Sequence, residues 1–270
     1  MNSLIKFCSL TCVSLLAASC APSEMQYPDW SGQWTRIGSL NWEPEGYAVA
    51  GEPPLTAEYQ AKREEFQRLR DLGVLVGDPP ATCLPPGMPR VLTMSFPFEM
   101  IVTPNTSYML TDWDSAVRRI FTDGRDWPAY MLPEFNGYSI GEWHDENGDG
   151  VYDMLSVETR SIKGPRSFDS TAVVLHENNE TVVFEEIRRL DDGSLENTIT
   201  TIDDALTGPW TVQRQYRHTP FSEDVIWVEY VCAENNRHIQ LGDEWYFLNK
   251  EEGTLDPTRV GQPRLIPDTE

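Results

Sequence analysis

The sequence predicts an all-β protein, an antiparallel barrel or a sandwich carrying one surface helix. The first ground is a succession of ten short β-branched and aromatic runs after Phe96, from FEMIVTP and TSYMLTD to WTVQRQYR and VIWVEYV, separated by turn residues at hairpin spacing. The second is the turns: Asp123-Gly124 and Asp192-Gly193 supply the positive φ angles that tight hairpins need. The third is that a single stretch, within EPPLTAEYQAKREEFQRLRDLG, carries helix start and stop signals.

Residues 1–20 read as an export signal. Lys6 precedes a nearly uncharged apolar run from Phe7 to Ala18, which is too short to span a bilayer. AASC, ending at Cys20, resembles the lipobox of bacterial lipoproteins, in which the cysteine is lipidated and becomes the first mature residue. Ala17 stands where that box usually has leucine, which lies one place earlier as Leu16. The resemblance implies lipidation at Cys20 and an outer-membrane lipoprotein facing the periplasm, touching the membrane through its anchor alone. A plain cleaved signal is the alternative. A short polar tether follows at 21–29, then a single β domain at 30–249, then an irregular tail at 250–270 that lacks apolar periodicity.

Within the domain, WSGQWTRI is the first strand. In the helical stretch Thr56 is placed to cap, Glu58 lies in the first turn, Arg68 and Arg70 lie in the last, and Gly73 stops the helix. Its apolar positions, Leu55, Tyr59, Phe66, Leu69 and Leu72, are sparse, so it belongs on the surface of something larger. GDPPATCLPPGMPR is irregular and would be pinned by its cysteine. If Cys8 and Cys12 leave with the signal and Cys20 is lipidated, Cys83 and Cys232 remain, and two thiols in an exported chain point to one disulfide. Two separately buried free cysteines are the alternative.

CLPPGMP, RRIFTDGR, VEYVCAENNR and the strand-turn-strand around Trp143 resemble a broad group of secreted bacterial proteins of unknown function, over about Trp30 to Arg237. The resemblance implies a fold and an exported life, and no activity. Members of that group often carry histidine after the turn that here reads GPRS, with Arg166 in its place. Gly32-Gln33-Trp34 is separately similar to the G-x-W opening of lipocalin barrels, which makes the barrel expected here lipocalin-like.

A formal net charge of −22 argues against nucleic acid or anionic lipid as a partner, since both need a cationic face. The chain has no Gly-rich phosphate loop and no C-x-x-C, and HENNE at His176 is not the H-E-x-x-H of zinc proteases. His144, His176, His218 and His238 stand apart from one another.

Two features point toward chemistry. In WHDENGDGVYDML, Asp145, Asn147 and Asp149 match the first three oxygen ligands of a calcium loop, Gly150 its turn, Val151 its carbonyl position and Asp153 its ninth position. Ser156 stands where the bidentate glutamate would be and the flanks are strands, so the expectation is a smaller oxygen cage for Ca²⁺ on a hairpin. An acidic turn facing water is the alternative. The second feature is charge inside the strand pattern. Along TVVFEEIRRL, Val183, Glu185, Ile187 and Arg189 share one face, while Glu186 and Arg188 share the other. Arg118 and Arg119 point opposite ways, and Arg214 lies on the apolar face of Trp210, Val212 and Tyr216. Charge on an inward face is costly unless paired. Either these are structural ion pairs, or Arg214, Trp210, Tyr216, Glu185 and Arg189 surround a small, partly apolar ligand. An enzyme using Glu185 or Glu186 as acid/base beside Arg214, and an envelope interaction module without a pocket, complete the readings.

Overall fold

In the computed structural model the described residues are 25–38, 51–71, 76–113, 115–171, 173–227 and 230–232, together with the backbone of 238–241, 244–249 and 254–257. Alternating apolar residues give each strand one face that must leave water. Nine strands meet that need by closing on themselves in chain order: β1 Gln33–Ile37, β2 Phe98–Val102, β3 Thr106–Thr111, β4 Val117–Phe121, β5 Tyr138–His144, β6 Met154–Arg160, β7 Val182–Arg189, β8 Leu195–Ile202 and β9 Trp210–Thr219. β1 pairs with both β2 and β9, which completes the barrel.

Nine is odd, and strands that alternate direction around a ring cannot all be antiparallel if their number is odd. One seam must be parallel, and it is β4–β5, paired only at Ile120↔Ser139 and Phe121↔Ile140. The other eight pairings are antiparallel, as expected. A parallel pair needs a long crossover, here residues 122–137 between the two strands.

β1 enters past Gly32, whose φ of +122° suits glycine. A Cβ there would lie 2.3 Å from His218 Nε2. Trp34, the tryptophan of the G-x-W triplet, is fully buried, donates its indole N–H to the Trp30 carbonyl at 3.0 Å and lies against the His218 ring. Trp30, Leu155, Val183, Ile199, Val212 and Phe168 fill the core around it. The helix, α1 Ala57–Asp71, carries the expected cap, with Tyr59 N–H donating to Thr56 Oγ1 at 3.4 Å, and buries only Tyr59 and Leu69.

Cys83 and Cys232 form a disulfide across 149 residues, and Cys232 packs with Met94 and Trp113. Among the described residues, two of the ten runs supply no barrel strand. TAVVLHE folds back locally, with Phe168 N–H on Val173 O and Leu175 N–H on Arg166 O, and buries Val173 and Leu175 without a barrel strand. In VIWVEYV a bridge joins Tyr230 to Trp113, while Ile226 and Trp227 are exposed. The tail expected to be irregular supplies a strand, β12 Thr254–Pro257. It forms a separate three-stranded sheet with β10 His238–Leu241 and β11 Glu244–Asn249. Main-chain pairing needs no apolar periodicity, so the sequence pattern was silent there. No described helix is long and apolar enough to cross a membrane, and Cys20 lies outside the described residues.

Candidate functional site

Strand phase decides which charges enter the barrel. On β7 the inward face is Val183, Glu185 and Ile187, so Glu185 is buried and Glu186 is exposed beside Arg188. On β4 the inward residue is Arg118, and Arg119 faces out. The two buried charges meet. Arg118 forms an ion pair with Glu185, with a second contact from Nη1 to Oε1 at 3.1 Å. The rest of the guanidinium is taken by Thr159 Oγ1 at 2.9 Å and Ser139 Oγ at 3.3 Å. Asn197 on β8 donates Nδ2 to Glu185 Oε1 at 2.9 Å. Five strands therefore hold one polar network, satisfied at its Arg118 end, which is the condition for burying charge at tolerable cost.

The network ends differently at its other side. Glu185 orients the Asn197 amide by accepting from its nitrogen, and Asn197 Oδ1 is left buried with no donor among the described residues. Directly across from Asn197 in the β8–β9 register stands Arg214. Arg214 has 0% exposure, and among the described residues its Nε, Nη1 and Nη2 all lack a hydrogen-bond acceptor. The other nearby guanidiniums are engaged. Arg90 is bidentate on Asp78 at 3.0 and 3.1 Å, and Arg36 donates to the Met94 and Gly38 carbonyls. Burial pushes Arg214 below its ordinary value. Arg36 and Arg90 push the same way, while Tyr216 and the buried Asp169 oppose them.

The apolar flank is as the strand phase required. Trp210 and Tyr216 are both buried. Trp210 stacks on Phe168 at 4.3 Å and donates Nε1 to Gly51 O, and Tyr216 donates its hydroxyl to Leu92 O at 2.8 Å. Burial pushes the Tyr216 phenol up, so it stays neutral. Arg189 departs from expectation. It shares the inward phase, but β7 ends at that residue, so its side chain is exposed and donates Nη1 to Asp29 O at 3.0 Å. The structure thus places Arg214, Trp210 and Tyr216 on one buried strand face, sets Asn197, which holds Glu185, opposite Arg214 in the β8–β9 register without a hydrogen bond between them, and leaves Arg189 outside. Arg118, Asn197, Ser139 and Thr159 were not named from sequence as site residues. Their signal was a polar residue on an otherwise apolar strand phase, as Asn197 lies between Leu195 and Ile199.

At the acidic loop the side-chain oxygens face the main chain. Asp145 accepts from the N–H groups of Gly148, Asp149 and Gly150, Asn147 from Asp149, Asp149 from Val151, and Asp153 from Glu146 and Asn147. Main-chain dipoles thus offset the mutual repulsion of the three aspartates. Among the described residues no three His, Cys, Asp or Glu side chains form a metal-holding group. Arg166, in the GPRS turn, is a tether: its Nη1 donates to Ile162 O and Asn179 Oδ1, and its Nη2 to His176 O.

What the fold and site define is a closed nine-stranded barrel whose interior carries an arginine-centred polar network. Neither a protein-family model nor a curated protein matches the chain.

Proposed function

We propose that this is an exported, lipid-anchored barrel that encloses a small, partly apolar ligand bearing an acidic group. The observation that carries the reading is Arg214: a guanidinium with no exposed surface and three nitrogens lacking acceptors, next to an Asn197 oxygen lacking a donor. A buried charge of this kind costs several kcal/mol, roughly, unless an acceptor completes it. A carboxylate is the acceptor whose geometry matches a guanidinium edge. A hydroxyl or N–H on the same molecule would serve Asn197, and Trp210, on the strand face of Arg214, with the Phe168 ring against it, would be its apolar neighbour.

Binding is favoured over catalysis because the Glu185 oxygens already accept from Arg118 and Asn197. That leaves no carboxylate poised for proton transfer on the inward face of β7. The test is a thermal-shift screen of small hydroxy- and amino-carboxylates against wild type and Arg214→Leu. A ligand at about 100 times its dissociation constant adds roughly 2.7 kcal/mol, or about 5–11 °C for a chain of this size. The reading expects such a shift in wild type alone. Equal shifts in both proteins, or none across the panel, would count against it.

A further inference from the structure

The parallel seam that closes the barrel also opens a cavity in its wall. Pairing between β4 and β5 stops at Ile120↔Ser139. Before that point the chain entering β5 is diverted by a turn closed by Gly137 N–H on Glu134 O, with Gly137 at φ +63°. No side chain is tolerated there, since a Cβ would lie 2.7 Å from Arg160 O. The diverted segment 133–137 and the first half of β4 stand apart, and between them is a cavity of about 560 Å³. That is the size of a small-molecule site.

Its lining combines two chemistries. Val117, Phe121, Pro133 and Phe135 present apolar surface, with Val117 exposed on β4. Arg119 and Lys163 present charge. Among the described residues neither cation has an acidic side chain within ion-pair distance. The charge of Arg118, at the inner end, is matched by Glu185, and the one carboxylate in the lining is that of Glu134, which is exposed. On a chain of net charge −22, a concavity with two cations lacking acidic partners among the described residues, Lys163 lying over the Phe135 ring at 5.1 Å, is a local reversal of sign. It suits an anion with an apolar body better than a neutral lipid, a sugar or a cation.

We propose that the β4–β5 seam cavity is a second ligand site, distinct from Arg214, that takes a small amphipathic monoanion. Arg119 and Lys163 hold its acid group, and Val117, Phe121 and Phe135 hold its body. The observation stands on the cavity and its charges, independently of the interior reading.

The probe is 1-anilinonaphthalene-8-sulfonate, an apolar fluorophore with one acid group, titrated into folded protein whose cooperative melting is verified for each variant. Wild type should bind with a fluorescence rise. Arg119→Glu and Lys163→Glu should each weaken binding at least about tenfold. Arg217→Glu, the same charge change at an exposed residue of β9, should leave it within about twofold. Decanoate should displace the probe where 1-decanol at equal concentration does not, since the alcohol lacks the acid group. The titrations are repeated in the Arg214→Leu background, where Arg119→Glu and Lys163→Glu should weaken the remaining binding by the same factor, which separates the two sites. The proposal is overturned by absence of probe binding to wild type, by equal weakening in Arg217→Glu, by displacement with decanol as effective as with decanoate, or by probe binding in the Arg214→Leu background that Arg119→Glu and Lys163→Glu leave unweakened.

Discussion

Arg118 and Glu185 offer the sharpest test of how this barrel tolerates charge in its core. Their side chains are 2% and 0% exposed, so water compensates neither. In Glu185→Leu, Arg118 keeps only the neutral acceptors Ser139 and Thr159. In Arg118→Met, Glu185 keeps only the Asn197 amide. Each single variant leaves an unpaired buried charge, at a cost of about 3–5 kcal/mol. At about 2–4 °C per kcal/mol in a chain of this size, that lowers the melting temperature by roughly 6–20 °C. The double variant leaves no charge, and packed hydrocarbon in place of a buried pair is neutral to stabilising by about 1–4 kcal/mol. It should therefore melt near or above wild type. Reversible urea unfolding of the four proteins gives the cycle directly, with midpoints compared at constant slope. Single-variant losses that add within about 0.5 kcal/mol in the double variant would refute the pairing.

The remaining predictions concern the chain's other constraints. Cys83→Ala/Cys232→Ala removes a closure of 149 residues, worth about 5 kcal/mol in the chain-entropy model. It should lower the melting temperature by roughly 10–20 °C, and an unchanged melt would refute that role. Calcium at the 145–153 loop is proposed with an extracellular-type dissociation constant of about 10⁻⁴–10⁻³ M. At ten times that constant binding adds about 1.4 kcal/mol, so Ca²⁺ should raise the melting temperature of wild type and not of Asp145→Ala or Asp149→Ala. Identical curves in calcium and chelator would assign those carboxylates to main-chain capping alone. Cys20→Ser should release the protein from the membrane fraction and abolish lipid labelling. A wild type already soluble and unlabelled would exclude the anchor.

The legible part of the structure was what strand alternation carries. Two-residue periodicity places Arg214 on the face of Trp210 and Tyr216, separates Glu185 from Glu186 and Arg118 from Arg119, and the structure follows that phase on β4, β7 and β9. What alternation cannot tell is how far along a strand the barrel extends. Arg189 has the right phase and still reaches solvent, because β7 ends at the rim. Nor can it pair charges across the sequence: the partner of Glu185 lies 67 residues away on the far side of the parallel seam. That seam was itself hidden, since it follows from the number of strands that close. The number was obscured by TAVVLHE, a strand-like run that satisfies its main chain within its own turn. Asn197 went unnamed because asparagine beside Glu196 and Thr198 looks like ordinary exposed polarity until Leu195 and Ile199 fix its face as the inner one.

The acid proposed to lie at Arg214 is tested most directly by weighing the protein. Wild type and Arg214→Leu, exported and purified without denaturation, are compared by native mass spectrometry, with extraction and identification of any small molecule released on unfolding. The account predicts a discrete excess mass on wild type that extracts as a carboxylic acid, its loss in Arg214→Leu, and a lower melting temperature for that variant than for loaded wild type. A bare wild-type mass, together with an Arg214→Leu protein that melts higher because hydrocarbon has replaced an uncompensated charge, would contradict it.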